Sequence, residues 1–197
     1  MPCYVGSAEL MAQVVGFHLN RGVLATADRA PAPAAEELLV GARSVAVLEG
    51  VNDHENLGAL FRNAAALGID GVLLGARCSD PLYRRSVRVS MGQVLRVPFA
   101  PLTRWPAGLD KLRAAGFRLV ALTPHPDAVP LQHAGLDAGL DGGRVAVLLG
   151  AEGPGLSEAA LAAADVHARI PMAPGIDSLN VTTAAALAFH ALGAVGP

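Results

Sequence analysis

Residues 144–157 read RVAVLLGAEGPGLS. After the arginine the first five residues are apolar without alternation, which suits a strand covered on both faces. The run then enters three glycines, a glutamate and a proline before Ser157, a residue able to cap a following helix. Glycines after a buried strand let backbone come close to a ligand and admit positive φ. Their order is G-x-x-G-x-G, whereas a dinucleotide fingerprint needs G-x-G-x-x-G, and no GK[ST] of a phosphate loop is present. Glu152 in this segment reads equally well as a carboxylate at a helix start.

Runs of the same kind recur on both sides, at residues 44–49, 71–74, 95–99, 117–122 and 166–171. Helical patterns lie between most of them, at residues 55–67, 81–91, 106–115, 157–164 and 179–192. Strands that alternate with helices predict an α/β fold, a mostly parallel sheet flanked by helices. Residues 123–143, with three prolines and two histidines, read as a long loop beside a strand end, where such sheets place their ligand-binding loops. Near the N-terminus, Ser7 can cap a short helix through Val15, residues 21–27 read as a strand, and residues 30–35 (APAPAA) as a linker. One helix and one strand cannot close a core. Residues 1–40 are therefore expected to be the tail of a preceding domain plus a linker, and residues 41–197 the α/β domain.

The chain has 197 residues, 52% hydrophobic and 16% charged, which places it among folded globular proteins. Mean hydropathy is +0.41, yet no 18-residue stretch is free of charged, polar or helix-breaking positions, and no basic segment precedes an apolar one at the start. Neither a spanning helix nor a secretory signal is expected. Cys3 and Cys78 form no CxxC and no disulfide framework, so a reducing cytoplasm is the expected setting. Net charge is −2, but residues 43–118 carry eleven basic side chains against six acidic ones, and the remainder four against eleven. That asymmetry fits either a polyanion-facing side or ordinary surface charge. Aromatics are 4% of the chain, little material for a stacking platform.

Two further segments carry chemistry. Residues 49–63 read EGVNDHENLGALFRN: a strand end, a polar stretch, then a helix beginning near Asn56. Arg62 and Asn63 follow Asn56 by close to two helical turns, so Asn56, Asn63 and Arg62 can share a side of the helix. Arg62 needs acceptors for its five donors, which a phosphate, a carboxylate or a surface salt bridge can supply. Residues 170–183 read IPMAPGIDSLNVTT: a strand end, a Gly-Pro loop, and a helix opened by Asp177 or Ser178. Ser178, Leu179 and Asn180 there present a hydroxyl, an amide and backbone N–H groups, and the same pattern also serves as a plain cap.

Taken together, NLGALFRNA (56–64), LLGAEGPGLS (148–157) and IPM followed by SLNV (170–181) resemble the three motifs of the SpoU family within the SPOUT superfamily of RNA ribose 2′-O-methyltransferases. The intervening RVSMG (88–92) is also similar. The resemblance covers residues 44–192 and implies a C-terminal trefoil knot, which ordinary connection rules would reject. It implies S-adenosylmethionine as cofactor, held at Leu149, Gly150, Ile170, Met172 and Leu179, with Thr123 near the adenine. It assigns Arg62 to the reacting hydroxyl or its phosphate, Asn56 to positioning, Glu152 to orienting Arg62 or Asn56, and Ser178 and Asn180 to the loop and nucleotide. Arg84, Arg85 and Arg88 are expected to grip RNA phosphates. No metal is implied. Residues 1–40 resemble the end of the L30e-like domain of ribosomal RNA members, and the chain stops soon after its last helix, so ribosomal RNA is expected over transfer RNA. A non-catalytic RNA-binding homologue and a transfer RNA enzyme are the alternatives. Finally, residues 179–196 carry no Asp, Glu, Lys or Arg, and a helix apolar on nearly all sides needs cover on two of them. The same helix of a second subunit, as in SpoU relatives, implies a homodimer.

Overall fold

The computed structural model describes residues 2–19, 22–134, 136 and 143–192. The chain divides into a small unit, Met1–Pro31, and a large one, Ala32–Pro197. In the small unit α1 spans Ala8–Val15, and Ser7 Oγ accepts from Leu10 N at 3.2 Å, the expected cap. Residues 22–27 form no strand, contrary to expectation. Gly22 is left-handed, with φ of 65°, and a strand with no neighbour gains no ladder.

The division falls after Pro31 and not at residue 40. The last residues assigned to the domain tail and linker fold as α2 (Ala35–Leu39), and Ala35, Leu38, Leu39 and Ala42 are buried in the core of the large unit. The sheet is built from β1 (Ser44–Leu48), β2 (Gly71–Leu74), β3 (Phe99–Pro101), β4 (Phe117–Leu122), β5 (Val129–Pro130), β6 (Arg144–Leu149) and β7 (Val166–Arg169). Its order is β3-β2-β1-β6-β4-β7-β5, and every neighbouring pair is parallel. The helices are α3 (His54–Ala66), α4 (Arg84–Val89), α5 (Leu109–Ala114), α6 (Glu158–Ala162) and α7 (Val181–Ala191).

β1 is buried at all five positions, as an apolar run without alternation demands. Its residues face opposite sides by turns: Ala46 and Leu48 join the layer with α3 and α7, while Val45 and Val47 join the layer with α2, α5 and α6. Two expectations shift. Residues 95–99 are not a strand; a 3-10 helix covers Gln93–Leu95, and the strand begins after Pro98, whose missing N–H suits an edge. Within residues 123–143, β5 and a 3-10 turn at Leu131–His133 close the sheet edge and bury Leu131, Ala134 and Leu136; residues 137–142 lie outside the described ones. Among the described residues no helix is long and apolar enough to cross a membrane.

Candidate active site

All strands run the same way, so the C-terminal ends of β4, β6 and β7 open together, the place where sheets of this kind hold ligands. A cavity of about 390 Å³ lies there. Leu122, Leu149, Ile170, Met172, Leu179 and Val181 give it an apolar wall, and Thr123, Glu152, Ser178 and Asn180 give it a polar one. All five residues expected to hold the cofactor line it, as does Thr123.

The loop after β6 is a tight reversal in which Gly155 N donates to Ala151 O at 3.1 Å. Gly150 is required here: a Cβ would overlap the Gly155 carbonyl carbon and Leu156 N. Glu152 sits in this loop and not at a helix start; α6 is capped instead by Ser157 Oγ, which accepts from Ala160 N at 3.2 Å.

The third segment enters α7 two residues later than expected. Asn180 is the cap, its Oδ1 accepting from Thr182 N at 2.9 Å. Ser178 and Leu179 thereby remain in the exposed loop at the cavity. With its oxygen turned to Thr182 N–H, the amide of Asn180 points its nitrogen at two acceptors, Asn56 Oδ1 at 3.1 Å and Glu152 Oε1. One side chain thus joins all three segments. Asn63, on the same side of α3 as Asn56, donates from Nδ2 to Thr182 O at 2.9 Å and fixes the first turn of α7 against α3.

Arg62 stands apart from this bridge. It is exposed, does not line the cavity, and has no hydrogen bond or ion pair with the described residues. Of the two partners expected for Glu152, it therefore meets Asn56, through Asn180, and not Arg62. Of the other arginines, Arg85 pairs with Glu55, while Arg84 and Arg88 are exposed at the surface.

Glu49, which the sequence marks only as a strand end, is a structural keystone of the site. Only 2% exposed, it accepts from Trp105 Nε1 at 2.6 Å on Oε1 and from Ser157 N at 2.9 Å on Oε2, with Arg77 at 3.8 Å. It ties the far end of the glycine loop to the crest of the sheet. A lone glutamate at a strand end carries no motif, and the partners lie 56 and 108 residues away. Beside it, burial pushes the Cys78 thiol up, with the Glu49 carboxylate adding to the effect against lowering contacts from the Val51 and Gly50 backbone. Among the described residues no group of three or more His, Cys, Asp or Glu is placed to hold a metal ion.

Comparison with known proteins agrees with this geometry. The sequence model of the SpoU rRNA Methylase family matches residues 43–190. An uncharacterized tRNA/rRNA methyltransferase of Mycobacterium tuberculosis is 59% identical over 189 residues, 96% of this chain and 65% of the relative, so the chain spans just under two thirds of that protein's length. Among solved structures, an AdoMet-bound rRNA methyltransferase from Sinorhizobium meliloti superposes with a TM-score of 0.74 at 28% identity, covering 83% of this chain and 60% of the other. The SpoU methyltransferase AviRb from Streptomyces viridochromogenes, in complex with AdoMet, gives 0.73 at 26%, covering 82% and 64%.

Proposed function

This chain belongs to the SpoU rRNA Methylase family, and we propose that it transfers a methyl group from S-adenosylmethionine to a ribose 2′-hydroxyl of ribosomal RNA. The observation that carries the reading is the Asn180 side chain, which joins Asn56 and Glu152 at the mouth of the strand-end cavity. The cavity fits such a cofactor: its volume falls in the range of small-molecule sites, its wall is apolar, and its glycine loop exposes backbone. Leu149, Gly150, Ile170, Met172 and Leu179 would hold it, with Thr123 beside the adenine. When bound, it supplies the reactive methyl group.

The chain's own task is to orient the hydroxyl and manage one proton. Asn56 Oδ1 is occupied by Asn180, which leaves its Nδ2 to donate to the ribose. Glu152 acts through Asn180 and keeps that amide aimed. Arg62, with every donor uncommitted among the described residues, holds a substrate phosphate and stabilises the alkoxide that develops as the hydroxyl proton passes to solvent water. A guanidinium holds its proton firmly in proteins, so it acts by charge and not as a base. Ser178 fixes the nucleotide at the open side, and Arg84, Arg85 and Arg88 hold the RNA backbone. The reading includes the trefoil knot, a homodimer, a cytoplasmic setting, and residues 1–31 as part of an L30e-like RNA-binding module.

The test is transfer of tritiated methyl from S-adenosylmethionine to unmodified ribosomal RNA transcripts, with bulk transfer RNA in parallel. The expected product is an alkali-resistant, 2′-O-methylated dinucleotide in ribosomal RNA. Label in transfer RNA alone would change the substrate, and label on a base would change the acceptor. Calorimetry showing saturable NAD binding and no response to S-adenosylmethionine would overturn the reading.

A further inference from the structure

We propose that His54 and Tyr83 form a stacking subsite for one base of the RNA substrate, next to the arginines of α4. The inference rests on the RNA-methylating reading above and adds to it a place where the substrate is read by its ring and not by its charge. The His54 and Tyr83 ring centroids lie 4.2 Å apart with the planes 42° from parallel. A neighbour this close steadies the ring from one side. Tyr83 is 55% exposed. Among the described residues of the large unit no other Phe, Tyr or Trp is exposed.

Its position gives the ring its meaning. His54 is the first residue of α3, and Asn56 lies only half a turn further along. Tyr83 is the residue before α4. The two helices are locked at this end: Ser86 Oγ donates to His54 O at 3.1 Å, and Gly58 lets the Ser86 backbone approach. The platform is thus rigid with respect to Asn56. Arg84, Arg85 and Arg88 follow Tyr83 within six residues, all exposed, and Arg88 has no polar partner among the described residues. An aromatic face beside cations on one short helix matches a nucleotide, whose base stacks while the adjoining phosphate pairs with a guanidinium. The alternative occupant is a second copy of the chain, and the arginines that follow Tyr83 on α4, of which Arg85 pairs with Glu55, favour the polyanion.

The experiment uses the full chain, tritiated S-adenosylmethionine and the ribosomal RNA transcripts above, or transfer RNA where that is the acceptor. Tyr83→Ala is expected to raise the KM for RNA about tenfold, with kcat at saturation and S-adenosylmethionine affinity within twofold of the parent. Tyr83→Phe keeps the ring and should restore KM, whereas Tyr83→Leu keeps bulk without the ring and should not. In binding titrations the salt slope should be unchanged in Tyr83→Ala and shallower by about one in Arg88→Ala. Parental KM in both Tyr83→Ala and Tyr83→Leu, or equal impairment in Tyr83→Phe, overturns the subsite. So does sedimentation showing that Tyr83→Ala breaks an oligomer, which would give the patch to a second copy. Should the parent transfer no methyl group, the functional reading falls alone: a tenfold weaker RNA titration in Tyr83→Ala still supports the subsite, and an unchanged one overturns it.

Discussion

Arg62 and Asn180 show how differently two polar side chains can serve one site. Asn180 has both amide hydrogens and its oxygen engaged, so its contribution is geometric. Arg62 has no polar partner among the described residues, so nothing in the fold depends on its charge. Arg62→Ala is therefore expected to leave S-adenosylmethionine affinity within twofold and the melting temperature unchanged, while methyl transfer falls at least a hundredfold; calorimetry and a tritium-transfer assay read the two. Lysine should restore little, because it lacks the planar fork that grips a phosphate. Glu49 is the opposite case. Glu49→Gln keeps the shape but turns one acceptor into a donor, leaving either Trp105 Nε1 or Ser157 N facing an N–H. An unsatisfied buried donor costs roughly 1–3 kcal/mol, so denaturant unfolding should shift by that amount and cofactor affinity should drop about tenfold as the loop loosens. Asn56, Glu152 and Asn180, which the fold joins, and Ser178 at the cavity stand out in the sequence because each sits in a short motif; Arg62 sits in one too, yet lies apart from them. Glu49 does not stand out, since its role exists only once three distant strand ends meet.

At the level of elements, the buried strands were legible almost residue by residue, because a parallel sheet covered on both faces leaves runs such as VAVL with no polar interruption. β4 and β6 fall where the apolar runs placed them. The edges were not legible: β3 and β5 are three and two residues long and end at prolines, too short to carry a period. The start of α7 was misread for a related reason, since Asp177, Ser178 and Asn180 are all good caps and only the loop path selects Asn180. Contact between α3 and α4 rests on Gly58, where a Cβ would lie 2.7 Å from Ser86 O and 3.0 Å from Val89 Cβ. Alanine has the better helix propensity by about 1 kcal/mol, yet overpacking costs about 1–3 kcal/mol. Gly58→Ala is thus expected to destabilise on balance, seen as a lower urea midpoint with unchanged slope. A rise in the midpoint would mean that α4 yields freely.

At the scale of the whole molecule, the apolar C-terminal segment is covered less completely than its composition suggests is needed. Residues 193–196 of it lie outside the described ones. In α7, Val181, Ala185, Ala188 and Phe189 are buried against the sheet and α3, while Thr183, Leu187 and His190 form the outer side. Leu187 is 43% exposed there, and Ile176 and Leu179 add exposed apolar surface in the loop before the helix. A stable interface takes about 800 Å² from each partner. Leu187 alone is far too small for that, so such an interface would also take in Thr183, His190 and the exposed Ile176 and Leu179 of the loop before the helix. A homodimer built there would set a second chain beside each active site. Sedimentation at micromolar concentration should then give about twice the chain mass of 20.1 kDa. Leu187→Lys puts a charge into the contact without touching the buried side of the helix, so it should yield a folded monomer with the parental melting profile. If the second chain helps to hold RNA, that monomer should bind S-adenosylmethionine normally and methylate at least tenfold more slowly. A monomeric Leu187→Lys that methylates at the parental rate would leave the dimer without a catalytic role.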